Sequence, residues 1–159
     1  MDSIGNWAFA NCNKLVSIVI PNGVTVIGDY AFSFCESLTS VTLPTTLVAI
    51  EIWAFSNCTS LTQIVIPNSV KAIKGAAFWN CSSLAQITIP SAVQEIGSDT
   101  FFMCDSLFSI VFEDPNGWWY QTSSESGVIY NIPPTELSNP STAVTALTVT
   151  YVQMGLKKS

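Results

Sequence analysis

The residues best suited by type to do chemistry are five cysteines, Cys12, Cys35, Cys58, Cys81 and Cys104, each 23 residues after the last. Thiolates bind metals, form disulfides and act as nucleophiles. A metal site needs ligands that converge, with roughly two to four residues between close pairs. A constant step of 23 gives a column instead. Adjacent members of such a column could be bridged, since neighbouring strands lie ~4.8 Å apart. The count is odd, however, and the expectation is a ladder of reduced, buried thiols.

Other catalytic material is sparse. The chain has no histidine, the commonest general base and the usual zinc ligand. Its eleven acids are scattered, and the neighbours Glu113 and Asp114 read as solvated acids at a strand-to-loop boundary. No catalytic residue, metal ligand or cofactor is expected, and the chain is read as a non-enzyme. Two glycosylation sequons, Asn57-Cys58-Thr59 and Asn80-Cys81-Ser82, fall beside expected buried cysteines and are taken as coincidental.

The elements that hold the cysteines follow from the same period. Phe9, Phe32, Phe55, Phe78 and Phe101 keep the 23-residue step, as do Leu15, Leu38, Leu61, Leu84 and Leu107. Ile18, Val41, Ile64, Ile87 and Ile110 form another column, and Pro21, Pro44, Pro67 and Pro90 one more. The unit reads I-G-x-x-A-F-x-x-C-x-x-L-x-x-I-x-I-P-x-x-V-x-x. Leu-x-x-Ile-x-Ile is a short strand whose aliphatics face a core. Proline closes that strand because it has no N–H to donate. Val-x-x-Ile, as in Val70 and Ile73, returns across the back as a shorter extended segment. Gly5, Gly28 and Gly97 mark a corner where positive φ is easiest, and Glu51 and Lys74 replace that glycine in two turns. Ala-Phe-x-x-Cys reads as one helical or 3₁₀ turn.

One unit cannot bury its apolar side, whereas stacked units can. The fold class expected is therefore a repeat solenoid with one parallel β-strand per turn. The strands, at about 15–20, 38–43, 61–66, 84–89 and 107–112, should form a single sheet in sequence order. Residues 1–112 make five turns, the first truncated, and 113–159 a non-repetitive, β-rich C-terminal cap. Within the cap, Asn116-Gly117 signals a tight turn and Val128-Ile129-Tyr130 a strand. Val144, Leu147, Val149, Tyr151 and Val152 could cover the last turn.

The composition agrees. Of 159 residues, 48% are hydrophobic and only 10% charged, against roughly 25% charged in an ordinary domain. Mean hydropathy is +0.42. This is not a disordered chain. A net charge of −6 with five Lys plus Arg, clustered only at Lys157 and Lys158, argues against nucleic acid as a partner. No apolar run approaches the ~20 residues that span a bilayer, and the first residues carry no signal-peptide pattern.

The signature I-G-x-x-A-F-x-x-C-x-x-L over residues 4 to about 112 resembles the BspA-like class of leucine-rich repeats, found in bacterial surface proteins and some protozoan ones. The tail, with Trp118-Trp119-Tyr120 and Asn139-Pro140-Ser141-Thr142, is similar to the end piece of several such proteins. The resemblance implies a secreted or cell-surface location and a protein partner such as a host or neighbouring-cell surface protein. It implies an interaction module for adhesion or host contact. Alternatives are a structural spacer with no ligand, or weak carbohydrate recognition through Trp118 and Trp119. The surface expected to bind is the concave sheet, through Ser40, Thr42, Gln63, Val65, Gln86 and Thr88, a face read as uncharged. The first turn, with half a repeat ahead of Leu15, is expected to fray or to self-associate through its open end.

Overall fold

The computed structural model describes residues 2–121, 129–131, 137–140 and 156–158. The chain winds as a parallel β-solenoid, and its continuous ladder lies on the back rather than the concave side. Five two-residue strands stack in parallel there: β1 (Ser3–Ile4), β3 (Val26–Ile27), β5 (Ala49–Ile50), β6 (Ala72–Ile73) and β8 (Glu95–Ile96). The register steps by one repeat, Ile4 to Ile27 to Ile50 to Ile73 to Ile96. Those isoleucines are buried, while Val26, Ala49, Ala72 and Glu95 are half-buried. The prolines set up this return. Pro21 to Pro90 end the concave segment, and their carbonyls accept the N–H of Val24, Leu47, Val70 and Val93 in a tight turn.

The expected single concave sheet is interrupted. β2 (Ser17–Val19) pairs with β4 (Ser40–Thr42), and β7 (Gln86–Ile89) pairs with β9 (Ser109–Phe112), both in parallel. Segment 61–66 between them joins the fourth turn through one bridge, Gln63 to Gln86, and Ala85 N donates to Thr62 O. Among the described residues no backbone hydrogen bond links it to 38–43. The strands run parallel and in sequence order, but the concave ladder opens between turns two and three.

The convex segments are not the helical or 3₁₀ turns expected from the sequence. The N–H groups of Ala8, Ala10 and Cys12 bond back three residues, to Gly5, Trp7 and Phe9. The alternating ones, of Trp7, Phe9 and Asn11, reach across to Asp29, Ala31 and Ser33 of the next turn at 2.8–2.9 Å. A helical turn spends every N–H within its own segment; stacking requires every second one for the neighbour. The alternation places ten non-glycine residues at φ between 55° and 62°, among them Trp7, Asn11, Tyr30, Trp53, Asn57 and Asn80. Each costs about 1–2 kcal/mol, offset by the cross-turn bond it makes possible.

The corner glycines need a different reason from the one given by sequence. Positive φ falls two residues later, and among the described glycines only Gly23 and Gly117 adopt it. Gly28 and Gly97 are required by close approach instead. A Cβ on Gly28 would lie 2.8 Å from Ile4 O, and one on Gly97 would fall onto the backbone of Lys74 and Gly75. Glu51 and Lys74 occupy the same corner in two other turns, with φ outside the left-handed region there as well.

Inside, the columns stack as anticipated. Phe9, Phe32, Phe55, Phe78 and Phe101 lie ring on ring with centroids 5.0–5.9 Å apart and planes within 4°. Ser33 and Ser56 share a buried hydroxyl bond of 2.7 Å. Among the described residues no buried side-chain N or O lacks a partner.

The C-terminal residues extend the back sheet by reversing it. β12 (Leu156–Lys158) lies antiparallel on β8, with Leu156 opposite Ile96, and β10 (Trp118–Gln121) and β11 (Ile129–Asn131) follow. Trp118, Leu137 and Leu156 are buried there. Lys158 holds the end through Asp114 at 2.6 Å and Ser91 O at 3.2 Å. The tight turn at Asn116-Gly117 is present, with Gly117 at φ 75° and Asn116 N donating to Asp114 Oδ1. The strand expected at 128–130 falls at 129–131. Residues 144–152 lie outside those described.

Candidate functional site

Pleating alone places the outward side chains. In β4 the pattern is exposed–buried–exposed, with Ser40 and Thr42 out and Val41 in; β7 repeats it with Gln86 and Thr88 out and Ile87 in. Gln63 and Val65 are exposed on either side of buried Ile64. All six residues singled out by sequence therefore face solvent, and five of them line two hollows that share Val65.

Gln63, Val65, Gln86 and Thr88 line a hollow of about 380 Å³, together with Ser109, Val111 and Glu113. Thr42 and Val65 line a smaller one of about 280 Å³ where the ladder opens, with Val41, Leu43, Thr45 and Pro67. Ser40 borders neither of these hollows. The chemistry is hydroxyl, amide and methyl. The face is not uncharged, as the sequence suggested: Glu113 lines its C-terminal rim and accepts from Ser91 N at 3.0 Å.

The thiols are ladder-forming. All five are free. Sγ of Cys35, Cys58, Cys81 and Cys104 donates to the carbonyl of Phe9, Phe32, Phe55 and Phe78 in the preceding turn, at 3.1–3.2 Å. Burial pushes Cys35 up to about 11 and Cys104 up to about 12. Burial likewise drives Cys58 and Cys81 well above the ordinary thiol range. Such groups stay protonated and inert. In the first turn Phe9, Cys12 and Leu15 are only half-buried and line a hollow of about 520 Å³.

The sequons are occupied structurally. Asn57 is buried, and its Oδ1 accepts from Asn80 Nδ2 at 2.8 Å. Trp118 is packing rather than a platform: its ring meets Phe112 edge-on at 5.2 Å, and Nε1 donates to Asp114 O. The Trp119 side chain lies outside the description. Among the described residues no group of three His, Cys, Asp or Glu could hold a metal ion, and no helix is long and apolar enough to cross a membrane.

Sequence reasoning missed an aromatic row on the convex side. Trp7 stacks on Tyr30 at 4.0 Å, Tyr30 on Trp53 at 6.0 Å, Trp53 meets Trp79 at 5.4 Å, and Trp79 meets Phe102 at 6.4 Å. The 23-residue step linking Trp7, Tyr30 and Trp53 was its visible signal.

A parallel solenoid with regularly spaced hydroxyl, amide and methyl side chains on its concave face defines the class: a leucine-rich-repeat interaction module. The profile described as "BspA type Leucine rich repeat region" matches residues 2–119 in six copies, one more than the five turns read from sequence. The chain belongs to that family. It is 38% identical to a T. pallidum leucine rich repeat protein (TM-score 0.67) over 68% of this chain and 50% of that one. A leucine-rich repeat protein from Bacteroides ovatus is 36% identical (TM-score 0.64) over 68% of this chain and 28% of its own. A leucine rich cell surface protein from Faecalibacterium prausnitzii is 29% identical (TM-score 0.52), covering 83% and 43%. The chain thus spans half or less of the length of these neighbours. No functionally curated protein matches it.

Proposed function

We propose that this chain is a non-enzymatic, protein-binding segment of a secreted or cell-surface bacterial protein, with adhesion or host contact as its role. The observation that carries the reading is the hollow of about 380 Å³ on the concave face, lined by Gln63, Val65, Gln86 and Thr88. β7 holds Gln86 and Thr88, and the Gln63–Gln86 bridge sets segment 61–66 beside it at about one strand spacing, so little ordering is required on binding. Family membership and the neighbour described as a cell surface protein support the location. Amides and hydroxyls discriminate by hydrogen-bond geometry, while exposed Val65 and Val111 supply apolar contact. The lack of histidine and the inert thiols favour binding over catalysis.

The test is capture of labelled surface proteins from host or neighbouring cells by the chain and by a Gln63→Lys, Gln86→Lys double variant. Both positions are exposed, so the fold survives. A partner retained by the chain and lost by the variant supports the reading. Equal capture by both removes the concave face, and no surface partner for either leaves a spacer as the better account.

A further inference from the structure

The convex aromatic row is kept continuous by an exchange between two columns. One column reads Trp7, Tyr30, Trp53, Ala76, Asp99 and the other Ala10, Ser33, Ser56, Trp79, Phe102. Where the first turns small, the second turns large, and the Trp53–Trp79 contact spans the change with planes at 56°. Packing of the interior does not require this. The core is filled by the separate phenylalanine column, and Trp7, Ile52 and Phe102 stand 39–56% exposed. Phe34 and Met103, on the same convex segments, are exposed as well. Trp7, Trp53 and Trp79 make no indole N–H hydrogen bond among the described residues, and the Tyr30 hydroxyl makes none either. The row therefore presents apolar edges and unspent donors together.

The charge around it is predominantly negative. Segments 5–12, 28–35, 51–58, 74–81 and 97–104 carry Asp29, Glu51 and Asp99. Their one cation, Lys74, is held by Glu95 at 2.8 Å. The Asp99 carboxylate has no hydrogen bond or ion pair among the described residues, although its backbone carbonyl accepts from Phe102 N at 3.1 Å. Burial shifts the carboxyls of both Glu51 and Asp99 upward, with nearby Lys74 partly offsetting the shift at Glu51, so an arriving cation meets acids already partly stripped of water.

We propose that this convex ridge is a second docking surface, for a cationic segment of another protein anchored by apolar side chains. Arginine or lysine would pair with Asp99 and Glu51, and leucine-like groups would cover the ring edges. A second copy of this chain is disfavoured by its net charge of −6, as are nucleic acid and an anionic membrane. A glycan needs open ring faces, and Tyr30 at the centre of the row spends both of its faces on Trp7 and Trp53, with planes within 5°.

The test uses the whole chain with a synthetic peptide of alternating arginine and leucine, and its glutamate-for-arginine counterpart, followed by tryptophan fluorescence. The arginine peptide should bind saturably and the glutamate peptide should not. Glu51→Gln with Asp99→Asn should weaken binding by about tenfold, and raised salt should do the same. Ile52→Ser with Met103→Ser, both at exposed positions, should also weaken it, separating the ridge from a general attraction of cations to an acidic protein. Gln63→Lys with Gln86→Lys should leave peptide binding unchanged, so failure here and failure of the concave reading are distinct. Equal binding of both peptides, unchanged affinity in the ridge variants, or displacement of the peptide by a neutral glucan would overturn the proposal.

Discussion

Phe55→Ala should cost about 3–5 kcal/mol, the range for truncating a buried aromatic. The structure places it in the upper half of that range. Phe55 is fully buried, with Phe32 stacked at 5.2 Å on one side and Phe78 at 5.6 Å on the other. Each stacked contact contributes about 0.5–1.5 kcal/mol beyond area burial. The back ladder fixes both neighbouring turns at one strand spacing through β3, β5 and β6, so the space cannot close by collapse. Phe9→Ala supplies the internal control. Phe9 is half-buried and has one ring neighbour in the column, Phe32 at 5.0 Å. With roughly half the area removed from water, its loss should be about 1–2 kcal/mol at ~25 cal/mol per Å². Urea unfolding followed by far-ultraviolet circular dichroism measures both, with slopes compared to confirm that only stability changed. A Phe55→Ala cost below about 1 kcal/mol, or equal costs at the two positions, would refute a core built on nearest-neighbour stacking.

Two pH-linked outcomes follow from the thiol column and the C-terminal ion pair. Burial raises the folded-state thiols, so the native chain keeps protons that unfolded thiols release. The stabilisation is complete below the unfolded thiol range, ~8.5, and is lost as pH climbs toward about 11 at Cys35. Denaturant midpoints should fall over that window, and a thiol reagent near neutral pH should find only half-buried Cys12 before denaturation and all five after it. A flat alkaline profile, or missing thiols after non-reducing denaturation, would contradict this. At the other end, hydrogen bonds from Lys158 and Asn116 hold Asp114 down to about 2. Its contribution is present above the unfolded carboxylate range, ~3.9, and is lost as pH falls through the folded value. Lys158→Met should weaken that acid dependence, leaving the Asn116 share, and speed amide exchange in β12. An unchanged acid profile in the variant would show that the pair does not secure the strand.

The solenoid was legible because a single period carries it. Phe, Cys and Leu recur at the step of one turn, and a column in sequence became a column in space. Conformation within a turn was less legible. The same i to i−3 bonds occur in a 3₁₀ turn and in the alternating turns found here, and only the cross-turn bonds separate them. Asn11, Asn57 and Asn80, residues tolerant of the left-handed region, were the available signal. Gly28 and Gly97 could be recognised as special but not why, since close approach depends on the neighbouring turn. The outward concave residues followed from pleating, yet their division into two hollows depends on the opening between β4 and segment 61–66. The convex row escaped because it switches columns at Ala76 and Trp79, a step that no single 23-residue register contains.

The measurement closest to the central claim is carbene footprinting of the chain alone and bound to a surface protein it captures. The account predicts that labelling falls at Gln63, Val65, Gln86 and Thr88, the residues of the larger concave hollow, and at Val111 on the strand beyond. Affinity should change little with salt, since Glu113 is the one charged group lining that hollow. Unaltered labelling at those five positions, with protection confined to other surfaces, would contradict it.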